Sequence, residues 1–95
     1  MNLVCISGRI ANINEFEKCV IVAVALPLYN RKEQKEDVTF IDCIGFGNTK
    51  DFITKYFEKG KYIEIKGYLK KTKHEGQYST AVMIEDASFC GAKKD

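Results

Sequence analysis

Several kinds of chemistry are missing from this chain. It has one histidine and one proline in 95 residues, and no serine or cysteine stands beside that histidine in a catalytic motif. No glycine-rich phosphate loop occurs, and no cluster of metal ligands. The four cysteines, Cys5, Cys19, Cys43 and Cys90, lack the close C-x-x-C pairing of zinc ribbons and redox sites. These absences argue against an enzyme and leave no metal or other cofactor to expect. Neither a signal peptide nor an apolar run of membrane-spanning length is present, so the expectation is a reduced, cytoplasmic protein with no membrane partner. Its strand-borne cysteines would then act as small buried hydrophobes.

No linker interrupts the chain, so residues 1–95 read as one domain, near the lower size limit for a self-sufficient core. Strong charge bias is lacking too. A net charge of +2 does not by itself announce a nucleic-acid binder. The distribution says more than the sum: residues 1–58 hold seven basic and eight acidic side chains, whereas 59–75 hold six lysines against Glu64 and Glu75. That segment is a local basic stripe.

Helix-forming pattern is scarce and confined to one place. Thr39 to Phe46 is β-branched, aromatic or small and reads as a strand closed by Gly47. The period then changes. Asn48 or Thr49 offers an N-cap, Asp51 places negative charge in the first turn, Phe52, Ile53, Tyr56 and Phe57 form an apolar stripe at helical spacing, and Gly60 supplies a stop. That spacing assigns the helix aromatics to the core, capping the open end of a barrel.

The rest reads as strand. Leu3 to Ile10 is the first, with Gly8 as a bend or bulge, and Asn12 to Lys18 is the first loop. Cys19 to Leu26 is the second, left at Pro27, and Tyr29 to Asp37 is a mobile connection. Tyr62 to Lys73 is the fourth strand, its odd positions Ile63, Ile65, Gly67 and Leu69 core-like and its even positions outward. Glu75-Gly76 turns the chain into a fifth strand, Tyr78 to Phe89. The class is therefore all-β with one short helix between strands three and four, the layout of a five-stranded Greek-key oligonucleotide-binding (OB) barrel.

Phe40 and Phe46 share parity on the third strand. Two rings on one open face can stack separate bases, yet Ile41 and Cys43 make the other face equally apolar, so parity alone also allows both rings to be core. On the outward side of the fourth strand, Tyr68, Lys70 and His74 interleave rings with charge, and Lys71 and Lys73 add to it. This is the pattern of a single-strand groove, or of a solvated edge that discourages aggregation. Tyr78, across the hairpin, fits packing as well as binding. Tyr29, Arg31 and Lys32 fit either a solvated hairpin tip or a flap over a bound strand.

Segments along nearly the whole chain, in order, resemble one family. Asn2-x-Val4-x-Ile6-x-Gly8-Arg9-Ile10 is similar to the N-x-V-x-L-x-G-R-L opening of bacterial single-stranded DNA-binding (SSB) proteins. Phe40-Ile41-Asp42-Cys43, two further residues and Phe46 resemble their F-I-N-C-x-x-aromatic core. Tyr56-Phe57-Glu58-Lys59-Gly60 resembles F-L-x-K-G. Gly67-x-Leu69 with its lysines resembles G-x-L-x-T-R, and Tyr78-Ser79-Thr80 and Asp86-Ala87-Ser88-Phe89 are similar to the last strand. The resemblance implies binding of single-stranded DNA without strong sequence preference, in replication, recombination or repair. It also implies stacking at Phe40 and Phe46, a weaker stacking role for His74, use of the Tyr29 loop, and a homodimer or homotetramer. A partner-recruiting acidic tail is not expected, because the chain ends Gly91-Ala92-Lys93-Lys94-Asp95. The alternatives are a primosomal-type protein-interaction module derived from the same family and an RNA-binding OB barrel.

Overall fold

Alternation of apolar and polar residues with period two turns most of this chain into strand. The computed structural model describes residues 1–89, with His74 described by its backbone alone. Cys90 and the Gly91–Asp95 ending therefore lie outside the described residues. The elements are β1 (Val4–Glu15), β2 (Cys19–Asn30), β3 (Lys35–Phe46), α1 (Gly47–Tyr56), β4 (Tyr62–His74) and β5 (Gln77–Phe89). They close into a barrel in the order β1-β2-β3-β5-β4, with β4 back against β1. All neighbours are antiparallel except β3 and β5, whose parallel ladder at Cys43↔Val82 and Ile44↔Met83 is the seam of the barrel. The expected all-β barrel with its helix between the third and fourth strands is thus the fold observed.

Inward positions supply the core: Ile10, Val20, Val22, Val24, Cys43, Ile53, Phe57, Ile63, Ile65 and Val82. Removing each such side chain from water stabilises the fold by roughly 1.5–3 kcal/mol, and Val on alternate positions of β2 adds β-branched stiffness suited to a strand. Helix α1 closes one end, sending Ile53 and then Phe57 into that core.

The strands are longer than sequence patterning predicts, and for one reason. Asn12–Glu15 is paired with Val20–Ala23 instead of forming a loop; it is polar because only Ile13 of the four faces partly inward. β2 likewise runs through Pro27, which pairs with Val38. Past Ala25 the strand has β3 on one side only, and a residue without an N–H is tolerated at such an edge. The supposed connection Tyr29–Asp37 narrows to a turn, Arg31–Gln34, in which Asn30 Oδ1 accepts from the Lys32 and Glu33 amides at 3.0 and 3.3 Å.

Other local expectations shift by a few residues. The bulge of β1 lies between Ile10 and Asn12, not at Gly8; Gly8 is needed because any Cβ there would strike the Ala25 carbonyl. Helix α1 begins at Gly47 after Phe46, with no side-chain cap and no acid in its first turn, so neither Asn48 nor Thr49 is the N-cap. Gly60, at φ +97°, belongs to the turn after the helix, not to its C-terminus. Leu69, expected in the core, is 46% exposed although its partner Val82 is core, because the β1–β4 ladder ends at Val4↔Gly67 and no β1 residue pairs beside it. Cys43 is buried, Cys19 half-buried and Cys5 exposed, so the buried-hydrophobe reading fails at Cys5. The Glu75-Gly76 turn has φ of +51° and +82°, as a two-residue hairpin of the type I′ class requires.

One further contact ties the ends of this barrel together. The Asn2 side-chain amide donates to the Leu69 carbonyl and accepts from the Leu69 amide, each at 2.9 Å, just past the last pair of the β1–β4 ladder, Val4↔Gly67.

Candidate nucleic-acid interface

The interface is built on β3, whose alternate residues Phe40, Asp42, Ile44 and Phe46 face away from a core that takes Cys43 and Gly45. Phe40 and Phe46 are 62% and 53% exposed, which removes the reading that both are core. Among the described residues neither ring touches another aromatic.

Cross-strand register shows what lies beside them. Ala25 stands opposite Phe40, Ala23 opposite Asp42, Ile21 opposite Ile44 and Cys19 opposite Phe46. Farther along the hairpin Pro27 pairs with Val38 and Tyr29 with Glu36, so Tyr29 and Val38 share the face of Phe40. On the other flank Ile44 pairs with Met83 and Met83 with Tyr68, while Ala81 pairs with Lys70. One outward surface spans four strands and carries Tyr29, Phe40, Phe46, Tyr68 and Lys70. Apolar Pro27, Val38, Ile21 and Ile44 pave it, with Met83 buried beneath.

Of these, Ile44 shares the parity of Phe40 and Phe46 on one strand and is legible there. Val38 could have been found by extending that parity two residues back, had the strand not been started at Thr39. Pro27, Ile21 and Met83 depend on register between strands, which no local pattern encodes.

The remaining candidates lie elsewhere. Lys71 and Lys73 are of opposite parity to Lys70, pairing with Thr80 and Tyr78, so they emerge on the reverse of the projecting β4–β5 hairpin. The Lys73 ammonium lies 5.5 Å from the centre of the 65% exposed Tyr78 ring, a cation–π contact of modest strength in water. His74 ends β4 and its side chain lies outside the described residues. Arg31 and Lys32 sit at the tip of the β2–β3 hairpin, where with Leu28, Tyr29, Asn30 and Asp37 they line an open recess of about 450 Å³. A recess of similar size, about 410 Å³, lies on β1, β4 and β5 around Cys5, Ser7, Glu64, Lys66, Asp86 and Ser88. It shares no residue with the aromatic face, and its lining of mixed charge has no ring to stack on.

Electrostatically the face is mixed. Lys70 is basic and Asp42 acidic, and neither makes an ion pair among the described residues. Behind Asp42, burial and, less strongly, the Asp42 charge push the Cys43 thiol up to about 12 from an ordinary 9.0. Cys43 is thus a neutral core residue whose S–H points to the Ile41 carbonyl at 3.9 Å, not a nucleophile. Among the described residues no group of three or more His, Cys, Asp or Glu could hold a metal. No described helix is long and apolar enough to cross a membrane.

An exposed sheet face with separated rings, apolar paving and scattered lysines is suited to stacking bases and neutralising phosphates along a flexible strand. Comparison with known proteins points the same way. A sequence model described as the single-strand binding protein family matches residues 1–90. The single-stranded DNA-binding protein of Clostridium perfringens is 30% identical over 98 aligned positions, covering 94% of this chain. The chain spans 65% of that relative's length. In fold, the chain is similar to the small single-stranded DNA-binding protein of Mycoplasma pneumoniae, with a TM-score of 0.78, 16% identity and coverage of 100% and 99% of the two chains. It is also similar to the Plasmodium falciparum SSB solved in complex with ssDNA, with a TM-score of 0.73, 20% identity and 95% coverage of each.

Proposed function

Because the chain belongs to the single-strand binding protein family, we propose that it is a non-catalytic, single-domain binder of single-stranded DNA that serves replication, recombination or repair in the cytoplasm. The observation that carries this reading is the outward pair Phe40 and Phe46, two half-exposed rings on one strand with no ring partner of their own. A folded protein that leaves such rings in water has them available for bases, and stacking tolerates any sequence because every base has a π-face. Tyr29 and Tyr68 extend the same surface, and Lys70 takes a phosphate. Arg31 and Lys32 at one hairpin tip, and Lys71, Lys73, His74 and Tyr78 on the other hairpin, hold a strand that wraps past the edges of the face.

The same proposal includes assembly. β1 has β4 on one side along Val4–Arg9, but β2 joins its other side only from Arg9 onward. The free edge Val4–Ser7 carries no charge, and an uncharged free edge invites pairing with a second copy. A homodimer through this edge, or a tetramer made of two, is the expected state.

Titration with oligo-dT and with a matched RNA, followed by fluorescence anisotropy and by mass in solution, tests the proposal. Tight binding with preference for DNA is expected. Equal or tighter RNA binding would move the protein to the RNA-binding reading, and absence of any binding would leave the protein-interaction module.

A further inference from the structure

Asp42 is the feature of the aromatic face that backbone neutralisation does not explain. It stands midway along the outward side of β3, two residues from Phe40, at the position where the F-I-N-C-x-x-aromatic core has an uncharged asparagine. A carboxylate there repels phosphate, which a protein built only to grip a backbone would avoid. Its carboxylate is exposed and, among the described residues, takes part in no hydrogen bond or ion pair. Nor is it crowded, since its neighbour across the ladder is Ala23 and the neighbour of Phe40 is Ala25.

Its row on the sheet has an order to it. Ala81, opposite Lys70, lies two residues before Met83, just as Asp42 lies two before Ile44, and Ile44 and Met83 are paired in parallel. Continued one residue past its last pair, Cys43↔Val82, that ladder sets Asp42 level with Ala81, which is small and buried, so the row runs Ala23, Asp42, Ala81, Lys70. The acid and the lysine are two strand spacings apart, about 10 Å, and each has an alanine beside it. A nucleotide laid across such a row meets the ammonium with its phosphate and the carboxylate with the edge of its base. Phe40, about 7 Å along the strand from Asp42, supplies the platform on which that base stacks.

An ionised carboxylate only accepts hydrogen bonds. Among base edges exposed in a single strand, guanine alone offers two adjacent donors, N1–H and the N2 amino group, to the two oxygens. Thymine flanks its one donor with carbonyls, and adenine and cytosine set a ring-nitrogen acceptor beside their amino group. We propose that Asp42 is a specificity-determining residue, reading the Watson–Crick edge of a guanine stacked on Phe40 and favouring guanine at that one position of an otherwise sequence-tolerant track. The inference rests on the single-strand-binding reading and refines it.

The test replaces guanine by inosine, which lacks only the N2 amino group, in otherwise identical alternating thymine–guanine and thymine–inosine oligonucleotides. For the unaltered protein the guanine strand is expected to bind about tenfold tighter, as for a charge-assisted hydrogen bond. In Asp42→Asn and Asp42→Ala the ratio is expected to fall to about one, with unchanged unfolding temperature because the site is exposed. An equal guanine-to-inosine ratio in the unaltered protein and both variants would overturn the assignment. So would both variants binding both strands tighter by one common factor, the signature of a carboxylate that only repels phosphate. Oligo-dT measured in parallel separates the two levels: binding of oligo-dT without guanine discrimination removes the role of Asp42 alone, whereas no binding of any strand removes the function itself.

Discussion

The aromatic residues of this small barrel divide into rings that touch each other and rings that stand apart. At the helix end Phe52, Tyr56, Phe57 and Phe89 make five ring contacts with centroids 4.9 to 6.1 Å apart, Phe57 stacked on Phe89 and the others tilted or edge-on. On the outward face Tyr29, Phe40, Phe46 and Tyr68 make none with one another. The two groups have similar chemistry and different surroundings. Rings in mutual contact satisfy one another and hold α1 over the barrel; the spaced rings leave their faces uncovered by any other ring.

The largest effect expected from breaking this contrast is at Phe57, which is only 5% exposed. Phe57→Ala should cost about 3–5 kcal/mol of folding stability through the cavity it leaves, measured by denaturant unfolding, with oligonucleotide affinity unchanged wherever the variant is folded. The same substitution at Phe40 or Phe46 should do the reverse. Each should lose about 1–3 kcal/mol of single-strand affinity with little change in melting temperature, and a large drop in melting temperature with intact affinity would place those rings with the helix group.

A third measurement sharpens the contrast within β3 itself, where buried Cys43 follows exposed Asp42. The folded-state proton affinity of Cys43 is raised, to about 12 from 9.0, so its contribution to stability is fully present below pH 9. It is lost as pH climbs from 9 toward 12, because the unfolded chain gives up the thiol proton first, at about 1.4 kcal/mol per pH unit. Relative to Cys43→Ala, stability should decline in that window. At pH 8, mass-mapped alkylation should modify exposed Cys5 and spare Cys43 until the protein unfolds.

The smallest effect belongs to the lysines. The slope of log affinity against log salt should be about −3 to −4 for four to six phosphates, and each of Lys70→Gln, Lys71→Gln and Lys73→Gln should reduce it by about 0.7. A slope near zero would take these lysines off the binding path.

How much of this could be read before folding depends on range. Ile63 and Ile65 announced their face by alternation, and the switch to helical period at Phe52 and Ile53 announced α1, because both signals are local. Leu69 kept the same alternation and is nevertheless exposed, since the point where the β1–β4 ladder ends is set by register between distant strands. Asn12–Glu15 and Tyr29–Asp37 looked like loops because strands that run past the core have little to bury. The aromatic pair at Phe40 and Phe46 was legible in parity and sharpened by resemblance. The row joining Asp42 to Lys70 was not, because it crosses three strands from distant parts of the chain.

The Asn2 amide has a kinetic meaning as well as a geometric one. It acts as a counterfeit peptide group, giving Leu69 the two hydrogen bonds of a ladder partner across a separation of 67 residues. Closing so long a loop has an entropic cost that local contacts must offset first, so this rung forms late and opens early. Leu69 N–H is therefore a clock for the barrel: its hydrogen exchange reports how often the start of the chain peels from the fourth strand.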